Sequence, residues 1–135
     1  MERIYKYLKK CGVYFLATCD EVDERQPRVR PFGTIIMFDG KLCFQTGKKK
    51  PVSRQIHNNP RIEICAHDSE SQTWLRLTGV AVEEPRIEAQ RQTLEAYPEL
   101  KGMYQPGDGV TEIFKIEHGN AVLSSFSDAP TTIIF

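Results

Sequence analysis

The residues best suited to chemistry stand in three short runs. These are Gln26-Pro27-Arg28-Val29-Arg30-Pro31-Phe32-Gly33, then Leu42-Cys43-Phe44-Gln45-Thr46-Gly47, then Lys48-Lys49-Lys50-Pro51. An arginine such as Arg30 offers a planar fork that grips two phosphate oxygens at once. Thr46 supplies a hydroxyl. The three lysines fall between a strand end and a helix start, where free backbone N–H groups and the positive end of the helix dipole favour an anion. The backbone of Arg30–Gly33 could hydrogen-bond the edge of a ring, and Gly33 permits close approach. Together these residues suit a phosphate attached to a flat, hydrogen-bonding ring. A solvated turn is the commoner meaning of a lysine run, and local spacing leaves both readings open.

The elements that must position these groups follow from periodicity and punctuation. Ile4, Tyr7, Leu8 and Cys11 fall at helical spacing over residues 2–11, and Gly12 can end that helix. Residues 13–19 read as a buried strand, and 20–26 as a charged turn. The next strand spans about 28–38, with Val29, Ile35 and Met37 on one face and Phe32, Ile36 and Phe38 on the other. A strand dry on both sides suggests a barrel wall that packs on a further surface. Asp39-Gly40 signals a tight hairpin into a strand at about 41–46. Pro51 suits the first turn of a helix reaching about 57. Strands follow at about 61–67 and 73–83, a helix at 85–96, an irregular segment at 97–110, and strands at about 111–117 and 120–127. The tail from Pro130 to Phe135 can add another. Six or more strands with few helices predict a closed or partly closed antiparallel barrel.

Composition narrows the function classes. At 135 residues the chain holds one core, so a single domain over 1–135 is expected. Lysine plus arginine equal aspartate plus glutamate at 18 each, which gives no footprint for nucleic acid or an anionic membrane. No apolar run approaches the roughly 18 residues of a membrane span, and the charged N-terminus does not fit a signal peptide. Four cysteines without C-x-x-C spacing lie mainly in apolar segments, which fits free, buried thiols and a cytoplasmic protein. Packing is the default for Cys43 and Cys65. His57, His67 and His118 are spread along the chain, and no metal motif is present. Glu83-Glu84 precede a helix start, where carboxylates complement the dipole. Trp74 is the only tryptophan, with a core or interface role set against a place in a ligand pocket. Tyr97 and Tyr104 could cover such a pocket.

The blocks Pro27–Gly33, Phe38-x-Gly40-Lys41-Leu42, Phe44–Lys50, Gln55-Ile56-x-Asn58–Ile64 and Trp74–Gly79, with Ser124-Ser125-Phe126 near the end, lie in a specific order across the chain. This pattern resembles the pyridoxamine 5′-phosphate oxidase-like family of FMN-binding split barrels. The resemblance implies a mainly β fold with a few short helices, a six-stranded antiparallel split β-barrel. It implies FMN as cofactor and a homodimer with FMN at the interface, which would account for a strand apolar on both faces. Arg30, with Lys49 and Lys50, matches the family's phosphate site. Pro31, Phe32 and Gly33 match the residues lining the flavin ring, as do Gln45 and Thr46. Arg28, Val29 and Lys48 complete the set, and Trp74 stands where the oxidases carry a flavin-contacting glutamine.

Two departures shape the functional reading. Val52 stands where the oxidases have a phosphate-site lysine, so Lys48–Lys50 would substitute for it. The oxidases' Arg-x-His substrate motif is missing, so the resemblance implies a small relative and not the true oxidase. A flavin-dependent oxidoreductase of unknown small-molecule substrate is therefore expected, with chemistry centred on the flavin. The alternatives are a flavin-binding module without turnover, serving as carrier, sensor or scavenger, and a barrel that binds deazaflavin or haem.

Overall fold

The computed structural model describes residues 1–135. Helix α1 (Glu2–Cys11) buries Ile4 and Leu8, four residues apart on one face, and carries Lys9 and Lys10 in its last turn. Eight strands follow: β1 (Tyr14–Asp20), β2 (Gln26–Phe32), β3 (Ile36–Phe38), β4 (Lys41–Gly47), β5 (Arg61–Asp68), β6 (Thr73–Glu83), β7 (Thr111–Ser125) and β8 (Thr131–Ile134). Helix α2 (Pro51–Asn58) lies between β4 and β5. Helix α3 (Ile87–Ala96) and a 3₁₀ turn (Pro98–Gly102) lie between β6 and β7. No helix is long and apolar enough to cross a membrane.

The strands pair antiparallel in the order β2-β1-β5-β6-β7-β4-β3, with β8 also on β7. Alternation decides which face is dry. In β5, Ile62, Ile64 and Ala66 are buried, whereas Arg61, Cys65 and His67 are exposed. The buried faces curl around one core that includes Tyr14, Leu16, Phe44, Ile64, Leu77 and Phe114.

The sheet does not close by hydrogen bonds. It closes through rings: Tyr14 to Phe32 at 6.1 Å, Phe32 to Phe44 at 5.4 Å, and Phe44 to Phe114 at 5.7 Å between centroids. The Tyr14 hydroxyl also donates to the Thr34 carbonyl at 2.6 Å. Strands β2 and β4 thus meet across a seam of side chains, and the barrel is split there.

Several expectations about elements change. The strand expected over 28–38 breaks into β2 and β3. The physical reason lies in the break itself. The Thr34 carbonyl is taken by Tyr14, and the Tyr97 hydroxyl both accepts from the Ile35 N–H and donates to the Ile35 carbonyl. Backbone groups that a ladder would need are already satisfied. The face expected to be dry is open in β2, where Val29 is 68% exposed.

The two strands expected over 111–127 are one, β7, bent at His118 with φ 53 beside a bulge between Thr78 and Val80. With β8 from the tail, eight strands replace the expected six. Only Cys43 of the four thiols is buried, and Cys65 is exposed. Glu84 stands at the start of α3 as expected, accepting the backbone N–H of the N-cap Arg86 at 3.1 Å and also its guanidinium at 2.7 Å. The Asp39-Gly40 hairpin forms as expected, with φ of 49 and 71.

One carboxylate, Asp68, helps tie helix α1 to the barrel, beside the bond between Tyr7 and Thr73 at 2.9 Å. Lys10 donates to Asp68 Oδ2 at 2.8 Å, Ser71 donates at 2.7 Å, and the Glu70 N–H donates to Oδ1 at 3.1 Å. These bonds, Lys10 foremost, lower the Asp68 carboxyl from 3.8 to about 2. A carboxylate that is more acidic in the folded chain stabilises above its unfolded value and loses that contribution as pH falls through its folded one. Stability is expected to decline from about pH 4 to about pH 2, in line with that shift. In Asp68→Asn the decline should flatten and neutral-pH stability should drop. Urea midpoints across this range test it, and an acid limb identical in both proteins rules it out.

Candidate functional site

The cradle forms where β2 runs beneath the start of α2. A cavity of about 620 Å³ is lined by Asp20 from β1, by Arg28, Arg30, Pro31 and Phe32 from β2, and by Lys50, Pro51, Val52, Arg54 and Gln55 around the helix start. Pro51 occupies the first turn of α2, where its missing N–H costs nothing, and no side chain caps that end. Four cationic side chains and one carboxylate therefore face the cavity. Arg28 and Arg54 share that carboxylate, Asp20, at 3.5 and 3.3 Å.

Arg30 is different. Its Nη1 donates to Thr18 Oγ1 at 2.8 Å and to the Leu16 carbonyl at 3.2 Å, and its Nη2 donates to Gln55 Oε1. Thr18 in turn donates to the same Gln55 oxygen at 2.6 Å. Every close acceptor is neutral. Burial first, and then the charge of Arg28, lower the Arg30 guanidinium below its ordinary value, with Asp20 opposing them. A half-buried cation held in place but not neutralised is a ready partner for an anion.

A second cavity of about 270 Å³ shares Pro31, Phe32 and Lys50 with the first. It continues over Gly33 and Thr34 to Gln45 and Thr46 of β4, and Tyr97, Glu99 and Leu100 form its far wall. The Gln45 N–H donates to Thr34 Oγ1 at 3.0 Å, and the Gln45 side-chain amide donates to the Thr46 carbonyl at 2.9 Å. Thr46 Oγ1 has no partner. It is the one buried side-chain nitrogen or oxygen in the chain without a hydrogen bond. A basic, anion-ready end joined to a slot with an orphan hydroxyl fits a phosphorylated ring.

The structure gathers most of the expected residues. Arg28, Arg30, Pro31, Phe32, Gly33, Gln45, Thr46 and Lys50 line one cavity or the other. Lys48 and Lys49 are exposed and line neither; Lys48 reaches toward Glu83 at 3.9 Å. Val29 points to the outside of β2. Trp74 lies apart from the cradle and pairs with Phe126 at 5.1 Å. Tyr97 walls the second cavity, fixed by its bonds to Ile35, whereas Tyr104 is buried behind Gly47.

Sequence reading missed Thr18, Asp20, Thr34, Arg54 and Gln55. Arg54 had a signal: it follows Lys50 by four residues, the spacing of one helix face. Thr18 and Thr34 gave none, because only the tertiary pairing brings them here.

Comparisons with known proteins give the chain's family and fold. The family model described as pyridoxamine 5′-phosphate oxidase matches residues 1–119. A NimC/NimA family protein from Clostridium acetobutylicum is 37% identical. Its alignment covers 100% of this chain and 92% of that one, with a TM-score of 0.91. General Stress Protein 26 from Bacillus anthracis shares 14% identity over 99% of this chain and 98% of its own, with a TM-score of 0.77. HupZ from Group A Streptococcus shares 21% identity over 88% and 91%, with a TM-score of 0.60. At these lower identities the likeness is one of fold, the split barrel. No curated protein matches the sequence.

The orphan hydroxyl generates a test. A buried polar atom without a partner costs about 1–3 kcal/mol, and an apolar replacement of similar shape relieves that cost. Thr46→Val is therefore expected to raise the unfolding free energy of the ligand-free protein by about 1 kcal/mol. Chemical denaturation measures it, and a Thr46→Val protein less stable than wild type contradicts the orphaned state.

Proposed function

Because the chain belongs to the pyridoxamine 5′-phosphate oxidase family, we propose that it binds FMN and acts as a flavin-dependent oxidoreductase on a small molecule. The observation that carries this reading is Arg30, a half-buried cation with only neutral acceptors, opening beside Lys50 onto the slot of the unpartnered Thr46 hydroxyl. Bound there, FMN would supply hydride or electron transfer. The chain's own residues bind, orient and shield. Arg30 and Lys50 hold the phosphate, with Arg54 and Arg28 adding positive charge and Asp20 fixing their positions. Thr46 and the backbone of Pro31–Gly33 receive the ring edge. Tyr97 and Leu100 keep water from the far side of the slot.

The working form in this reading is a homodimer. Val13, Phe15 and Val29 are at least half exposed, and Phe15 lies opposite both Pro31 and Cys65 in the sheet register. This apolar face sits on the outside of the strands that carry Arg30, so a second copy laid on it would border the cofactor. Covering it would also explain why a soluble chain leaves these side chains in water.

Replacing Arg30 and Lys50 together by alanine removes two charge-assisted phosphate contacts, each worth about 1.5–3 kcal/mol. FMN affinity by fluorescence titration is expected to fall by about a hundredfold or more. Unchanged affinity in the double variant overturns the site. Flavin-loaded wild type is expected to sediment as a dimer and to reoxidise rapidly with a nitro compound after reduction by a nicotinamide. Flavin binding without any such turnover would make the protein a carrier or sensor.

A further inference from the structure

Four carboxylates are buried in this chain: Asp20, Asp68, Glu84 and Glu112. Three of them meet a permanent cation. Asp20 has Arg54 at 3.3 Å, Asp68 has Lys10 at 2.8 Å, and Glu84 has Arg86 at 2.7 Å. Glu112 has the least exposed side chain of the four, at 1%, yet no lysine or arginine pairs with it. Its oxygens meet Ser53 Oγ at 2.5 Å and His57 Nε2 at 2.8 Å. A carboxylate out of water without a matching charge is costly.

The neighbourhood deepens the deficit. Glu83, from the end of β6, brings a second carboxylate toward the first. One donor atom from each of His57, Glu83 and Glu112 lies within 4.8 Å of the others. Lys48 contacts Glu83 alone, at 3.9 Å. Two carboxylates and an imidazole from three different elements converge with too little positive charge between them.

We propose that His57, Glu83 and Glu112 form a site for a divalent transition-metal ion of the zinc class. Imidazole nitrogen and carboxylate oxygen are ordinary ligands for such ions, and three protein donors leave a position for water. Two donors each about 2.1 Å from a tetrahedral ion stand roughly 3.4 Å apart. The 2.8 Å between His57 Nε2 and Glu112 Oε2 would open by about half an ångström to admit it. The ion would take the place of the hydrogen between this pair, with the imidazole proton carried on Nδ1. It would also pin the last turn of α2 to β6 and β7, at the opposite end of the helix from Lys50. This inference does not rest on flavin binding.

The test uses the full chain, free of flavin and metal, titrated with Zn²⁺ by calorimetry and with Co²⁺ by visible absorbance. Saturable one-to-one binding is expected, weakened by roughly tenfold or more in both His57→Gln and Glu83→Gln. Both positions are partly exposed, so the variants are expected to fold, and circular dichroism checks this. The Co²⁺ form of wild type should show ligand-field bands without a thiolate charge-transfer band. Absence of saturable binding, wild-type affinity in either variant, or a thiolate band that moves the ion to a cysteine each overturns the proposal.

Discussion

The site depends on how Arg30 is held. Its guanidinium reaches from β2 across β1 to α2, donating to the Leu16 carbonyl, Thr18 and Gln55. Gln55 in turn accepts from Thr18 and directs its amide at Asp20 at 3.5 Å. The carboxylate of Asp20 is left for Arg28 and Arg54. Had Arg30 taken Asp20 itself, the innermost of the four cations would have been paired and the positive surplus moved to the more exposed Arg28 and Arg54. The division of partners sets the electrostatics: the two outer arginines share Asp20, and the inner one is fixed by dipoles alone. Hydrogen bonds to neutral acceptors orient a cation without discharging it.

The same arrangement explains where the cavity lies. A closed barrel pairs every strand, so its wall offers no free backbone. Here the ladder stops at the end of β2, and backbone groups of Thr34 and Ile35 are taken by Tyr14 and Tyr97 instead. The aromatic seam keeps the core dry behind that segment while its outer side stays open. The slot leading to Thr46 occupies this gap. Removing one of the seam's rings would cost on the order of 3–5 kcal/mol, so the opening is framed by some of the best-packed side chains in the chain.

Much of this was legible in the sequence, and the rest was hidden for physical reasons. Period-2 alternation placed β5 and β6, and Pro51 marked the start of α2, because those signals are local. The break in the 28–38 strand was not legible. Every residue there suits a strand, and the interruption comes from tyrosines 20 and 62 residues away along the chain. The lysine run divides for a related reason. Spacing alone weighted Lys48, Lys49 and Lys50 equally, but the turn geometry turns only Lys50 toward the cavities. Packing was the default for Cys65, with no second cysteine near it in sequence, and the phase of β5 places it outward.

Burial of charge separates the two ends of α2. At its N-terminal end the chain concentrates cations and supplies a single carboxylate, so the surplus is positive. At its C-terminal end it buries Glu112 against Ser53 and His57 and adds Glu83, so the surplus is negative. At each end one member is withdrawn from water, Arg30 in part and Glu112 almost fully, and water relaxes it less than it would a surface charge. The helix dipole raises the demand at each end, since its positive pole faces the cations and its negative pole lies nearest the carboxylates. A fold that kept both imbalances without external partners would carry two opposed strains on one eight-residue helix. An anion at one end and a cation at the other relieve both.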